Sequence, residues 1–268
     1  MDNAVSPELI LLGTGGATPY ANRANATAAV VTQDGNVLFD AGSGVCQRLD
    51  QAGIDAATVD IICLSHLHAD HCLELPLLIL SSFLAGRKHA IKVIGPQGTQ
   101  RLYDTLMGDI FNYIPGLVSG VTGRRPVVDV TEWSPGETYQ HGSLIIRSAP
   151  ALHTVPALAY RLEIHGRAIA YSGDTEYSDD VIELARDVDV LVHECPFPVE
   201  MGQVPGHTTA NEVGLVASAA NAGMVVLTHL FAETLGHEDE MLAAVRERFS
   251  GQVLLGVDLT RLHVGHNE

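Results

Sequence analysis

Within six residues the chain sets out four potential metal ligands, in the run Ser65-His66-Leu67-His68-Ala69-Asp70-His71. At this H-x-H-x-D-H spacing, His66, His68, Asp70 and His71 can converge on one or two metal ions from a loop, which no regular helix face would allow. Such a cluster points to zinc far more specifically than a motif half its length. Three further candidates stand after other apolar runs: His153, Asp174 in Ser172-Gly173-Asp174-Thr175, and His229 in Leu227-Thr228-His229. Taken singly, each reads as a polar core histidine or a helix-capping aspartate. Their shared placement at strand ends makes them candidate ligands alongside the first cluster.

The elements that must position these residues alternate along the chain. Glu8–Gly13 is a short apolar run closed by Gly13, Gly15 and Gly16, so it reads as a strand feeding a tight turn rather than a dinucleotide loop, for no G-x-G-x-x-G is completed. Thr27–Thr32 and Asn36–Asp40 flank Asp34-Gly35 and predict a hairpin. Asp60–Ser65 predicts a buried strand whose end delivers the histidine cluster, and Leu73–Leu84 a helix. The spacing predicts further strands over Ala90–Ile94, Ser143–Ser148, Ala159–Ile164, Ala168–Ser172, Val188–Val192 and Met224–Thr228. Helices are expected over Val45–Ala52, Ser178–Asp187, Ala210–Ala222 and Glu238–Phe249, the third opened by Thr208 or Thr209. This alternation, without a low-complexity linker, predicts one layered α/β domain over residues 1–268.

Composition bounds the partners. Of 268 residues, 46% are hydrophobic and only 18% charged, which excludes a mostly disordered chain. The formal charge of −17, from 15 basic and 32 acidic residues, argues against a broad nucleic-acid or anionic-membrane surface. No apolar run reaches the ~18 residues a membrane helix needs, and no signal-like N-terminus is seen, so a soluble cytoplasmic protein is expected. Cys46, Cys63, Cys72 and Cys195 form no C-x-x-C pair and read as reduced thiols.

These residues carry a family resemblance. Leu12-Gly13-Thr14-Gly15, the Asp40 strand end, SHLHADH, Gly95-Pro96, SGDT at 172–175, LVHE at 191–194, HTTANE at 207–212 and LTH at 227–229 follow the order of the metallo-β-lactamase superfamily, and most resemble its tRNase Z branch. The resemblance implies an α/β fold, the four-layer αββα sandwich of that superfamily. It further implies that His66, His68 and His153 bind one metal, and Asp70, His71 and His229 a second, with Asp174 bridging. Two Zn2+ are expected, with Mn2+ or Fe2+ as substitutes. Asp70 would orient or deprotonate the attacking water. His207 would assist the leaving group, with Glu194 setting its tautomer. The histidine at position 68 separates the chain from flavodiiron oxidoreductases, which place a glutamate there, and Asp174 separates it from true β-lactamases. Related proteins imply a homodimer.

The resemblance has a gap. The branch usually inserts a basic Gly/Pro-rich arm for the tRNA elbow before the SGDT motif, whereas here Ile164-His165-Gly166-Arg167 turns directly between two strands. Extra length appears instead at 107–125, with Phe111, Tyr113, Ile114, Pro115 and Leu117, a composition suited to a lid over an apolar pocket in which Phe111 and Tyr113 touch substrate. The reading is therefore a dinuclear-zinc hydrolase of a small phosphodiester or related ester, with a small-molecule substrate and neither nucleic acid nor membrane as partner. The alternatives are a tRNA 3′-end endoribonuclease using another exosite; a lactone, carboxyl-ester or aryl-sulfate hydrolase; and a metal-binding scaffold without turnover.

Overall fold

Strand β1 (Glu8–Gly13) is buried almost from end to end, which requires a covering layer on each face. Alternation sorts its side chains: Leu9 and Leu11 join one apolar cluster, Ile10 and Leu12 another. The computed structural model, which describes residues 6–18, 20, 23–111 and 126–265, shows what lies on either side.

The first half contributes β2 (Thr27–Thr32), β3 (Gly35–Phe39), helix α1 (Val45–Gln51), β4 (Val59–Cys63), α2 (Ala69–Cys72), α3 (Leu75–Leu84), β5 (Ile91–Gly95), α4 (Thr99–Tyr103) and β6 (Val128–Glu132). The second contributes β7 (Thr138–His141), β8 (Leu144–Pro150), β9 (Leu158–Ile164), β10 (Arg167–Tyr171), α5 (Asp179–Leu184), β11 (Val190–Glu194), α6 (Ala210–Ala219), β12 (Met224–Thr228), α7 (Glu238–Arg246), β13 (Gln252–Leu255) and β14 (Arg261–His263). Two seven-stranded sheets result, in the orders β14-β1-β2-β3-β4-β5-β6 and β13-β12-β11-β10-β9-β8-β7.

Three cores separate four layers. Leu9, Val30, Phe39, Ile61, Ile146, Tyr160, Leu162 and Val192 pack between the sheets. Leu12, Leu38, Leu49, Ile62, Leu75, Leu78 and Ile79 join α1 and α3 to the first sheet. Val181, Val213, Val216, Met241 and Val245 join α5, α6 and α7 to the second. Each fully buried Leu, Ile or Val stabilises by about 1.5–3 kcal/mol, and the central layer adds the aromatic bulk of Phe39, Trp133, Tyr160 and Tyr171. The αββα sandwich expected from the sequence is the observed architecture, and Tyr160 stitches its halves by donating its buried hydroxyl to the Leu64 carbonyl at 2.7 Å.

Two local departures matter for the site. The helix expected over Leu73–Leu84 starts two residues later, at Leu75, because Pro76 belongs to the first turn of a helix and Glu74 N–H bonds to the Ala41 carbonyl, which keeps α3 apart from the short α2. The proposed lid also begins in order: α4 runs on as a π-helical stretch over Asp104–Ile110, with Met107 buried. Phe111 follows it, whereas Tyr113 and the remainder of the segment from 112 to 125 lie outside the described residues.

Candidate metal centre

Strands β3, β4 and β5 run parallel in one sheet, as do β10, β11, β12 and β13 in the other. In such sheets, functional groups gather outside the carboxyl ends of the strands. Here β3 ends just before Asp40, β4 shortly before the 65–71 loop, β10 shortly before Asp174, β11 at Glu194 and β12 just before His229. Antiparallel β8 and β9 bring the turn bearing His153 to the same edge.

The candidate ligands meet there. His66, His68 and His153 group their ligand atoms within 4.8 Å, as do Asp70, His71 and His229, and Asp174 groups with His66 and His71. The imidazole contacts join like with like: His153 Nε2 lies 3.2 Å from His68 Nδ1, and His71 Nε2 lies 3.2 Å from His229 Nε2. His66 Nε2 and Asp174 Oδ1 are buried with no hydrogen-bond partner. Leaving such atoms unpaired costs about 1–3 kcal/mol each. Inward-facing lone pairs around a carboxylate are what divalent cations satisfy, so the residues fit two metal ions.

The His71 ring is held from behind. Asp40 adopts a left-handed backbone (φ 67°) that turns its carboxylate under the loop. There it accepts from Ser65 N–H at 2.6 Å, Ser65 Oγ at 2.8 Å, the Tyr171 hydroxyl at 2.8 Å and His71 Nδ1 at 2.8 Å. His71 thus presents Nε2 to the centre. Sequence reasoning gave Asp40 no role in the site, although an aspartate closing an apolar strand was its signal. Gly42 is needed because a Cβ there would lie 2.0 Å from the Asp70 carbonyl.

The charges are set by burial working against neighbours. Burial, reinforced by the charge on His71, pushes His66 down to about 2, leaving its ring neutral with a free lone pair. Burial disfavours charge on His71 too, but the Asp174 and Asp40 carboxylates outweigh it and hold the imidazole well above its ordinary value. Burial would raise Asp70, yet the hydrogen bond from His229 and the nearby imidazolium bring it down to about 2. Asp174 is held well below the carboxylate range by His229 and His71, against its own burial.

His207 sits at the mouth, its ring centroid 5.3 Å from that of His153 and 5.8 Å from that of His229. Its Nδ1 is 2.7 Å from Glu194 Oε2, while Glu194 Oε1 accepts the Thr175 N–H. Burial, then the charge of Asp174, drives the Glu194 pKa well up, and burial lowers that of His207. With the shared proton on Glu194, Nδ1 is the acceptor and Nε2 carries the hydrogen. Phe197 packs edge-on to His207 with centroids 5.6 Å apart, a neighbour that sequence reasoning also passed over.

A family model described as the beta-lactamase superfamily domain matches residues 35–230. Among similar proteins is a ribonuclease Z of Mycobacterium bovis, 30% identical over 275 residues, covering 96% of this chain and 98% of that protein. A metallo-β-lactamase fold protein from Bacillus subtilis superposes with a TM-score of 0.79 at 25% identity, over 96% of this chain and 99% of that one. Human tRNase Z, short form, gives a TM-score of 0.74 at 20% identity, over 97% of this chain and 100% of that one.

These relatives correct one expectation, that nucleic acid is not a partner: full-length similarity to ribonuclease Z contradicts it. Net charge misled because a sum over the whole chain says nothing of how charge is distributed around the site. No helix among the described residues is long and apolar enough to cross a bilayer.

Proposed function

Because the chain belongs to the metallo-β-lactamase superfamily, in its ribonuclease Z-like branch, we propose that its metal-dependent hydrolase site cleaves a phosphodiester bond in RNA, at the 3′ end of precursor tRNA. The observation that carries this reading is the meeting of two three-residue ligand groups, joined at Asp174, beside the Glu194–His207 pair. His66, His68 and His153 would hold one ion and Asp70, His71 and His229 the other, with Asp174 between them. The ions would supply a water acidic enough to attack at neutral pH and would offset phosphate charge.

The chain's own groups do the rest. Asp70, 3.3 Å from His229 Nε2 and kept ionised, orients the attacking water and takes its proton on a carboxylate oxygen. His207 gives the Nε2 proton to the departing oxygen while the proton shared with Glu194 passes to Nδ1, leaving a neutral imidazole beside an ionised Glu194. Phe197 and His153 flank the His207 ring and limit its rotation.

One observation favours a second reading, a small phosphodiester as substrate. Strands β9 and β10 are joined by His165 and Gly166 alone, both at positive φ (49° and 76°), a tight hairpin with no inserted arm. The experiment that decides is parallel initial-rate measurement on zinc-loaded protein with a precursor tRNA and an activated small phosphodiester. Cleavage of the precursor at one position supports the RNA reading. Turnover of the small ester alone transfers the assignment to the second.

A further inference from the structure

Glu176 follows the SGDT motif, and no role for it emerges from the ligand set. Its backbone N–H donates to the Leu152 carbonyl at 2.8 Å, and Leu152 N–H donates to Thr175 Oγ1 at 3.0 Å, so this segment is pinned to the residue preceding His153. Its side chain reaches the other way: Oε1 accepts the Gly206 N–H at 2.7 Å. Gly206 closes the circuit, its carbonyl accepting from His153 Nδ1 at 2.7 Å. The next residue is His207. The joint is tight, for Gly206 is buried at φ 83° and a Cβ there would stand 2.9 Å from His153 Nδ1.

We propose that Glu176 is a positioning residue: through Gly206 it fixes both the His153 ring and the peptide that places His207. Carbonyl acceptance at Nδ1 commits the His153 proton to that nitrogen and aims the Nε2 lone pair at His68. Without the Glu176 carboxylate the Gly206 N–H loses its anchor, and that carbonyl drifts from His153 as the His207 backbone loosens. One residue thereby couples one half of the metal centre to the leaving-group donor. The inference rests on the reading of His66, His68 and His153 as ligands of one ion.

The test measures zinc stoichiometry and affinity by chelator competition, with kcat and KM, on the wild type, Glu176→Ala, Glu176→Gln and Gly206→Ala. We expect two ions on the wild type. Glu176→Ala should keep one ion at wild-type affinity, bind the other at least about tenfold more weakly, and lose kcat with KM little changed. Glu176→Gln, whose amide oxygen still accepts from Gly206, should restore both. If Glu176→Ala does not fold, Gly206→Ala, which crowds His153 with Glu176 in place, must give the same one-site loss. Unaltered affinity at both sites in Glu176→Ala, or equal damage in Glu176→Gln, overturns the proposal. A wild type that binds no zinc removes the ligand reading itself, and the proposal with it.

Discussion

At the scale of single residues, the proposed roles divide into groups that would hold cations and groups that would move protons, and mutation should separate them. Removing the His207 ring deletes the proton donor without touching a proposed ligand. His207→Ala is therefore expected to lower kcat by about 10²–10⁴ while retaining both ions. Kinetics paired with metal analysis checks this, and equal loss of both would make His207 a structural residue. The ligand candidates were legible because histidine and aspartate at strand ends repeat a chemical pattern. Asp40 was visible only as a strand end, since its role depends on a positive-φ turn that brings it under Ser65 and His71. Glu176 left no trace, because its partner is a backbone N–H thirty residues away.

At the scale of elements, α1 illustrates support from a distance. Its N-cap is Gly44, which offers no side chain, and the Glu74 carboxylate does that work by accepting from Gly44 N–H at 2.6 Å and Cys46 N–H at 3.0 Å. Losing a side-chain cap costs about 1 kcal/mol, with a comparable contribution from negative charge at the helix N-terminus. Glu74→Ala should thus destabilise by about 1–2 kcal/mol, seen as a lower urea midpoint with an unchanged slope. Legibility among the strands followed position in the sheet. The interior strands carry more apolar residues, in runs buried on both faces as in β4 and β12 or alternating with polar ones as in β9, and were readable, including the hairpin at Asp34-Gly35. The four strands that escaped notice, β6, β7, β13 and β14, are the four sheet edges. Val128–Glu132 shows why: its residues are all half-buried or exposed, so no apolar run marks it.

At the scale of the whole molecule, stability should depend on metal and pH together. The His71 pKa is raised in the folded chain by Asp174 and Asp40. Its contribution in metal-free protein is complete below the unfolded value of about 6.5 and is lost as pH rises through the folded one. Metal binding has the opposite sign, since ligand nitrogens must shed protons to coordinate. Chelator-treated protein should therefore lose thermal stability from about pH 6.5 upward, while the gap between it and zinc-loaded protein widens. Melting curves from pH 6 to 9 with and without chelator check this; a gap that narrows with rising pH contradicts it. The layered fold was legible from alternating elements and the order of motifs. Charge was the misleading guide: a sum over the chain says nothing of how charge lies around the site, and the similarity to ribonuclease Z overturned the reading drawn from it.

The division of the proposed ligands between the sheets would also make the centre a witness to assembly. His66, His68, Asp70 and His71 come from the first sheet's edge, whereas His153, Asp174 and His229 come from the second's. A folding intermediate with one sheet formed owns only part of either coordination shell, so tight ion capture must await the closing of the sandwich. Metal uptake can then serve as a clock for the last step of folding, and slow release as a measure of how rarely the two sheets part.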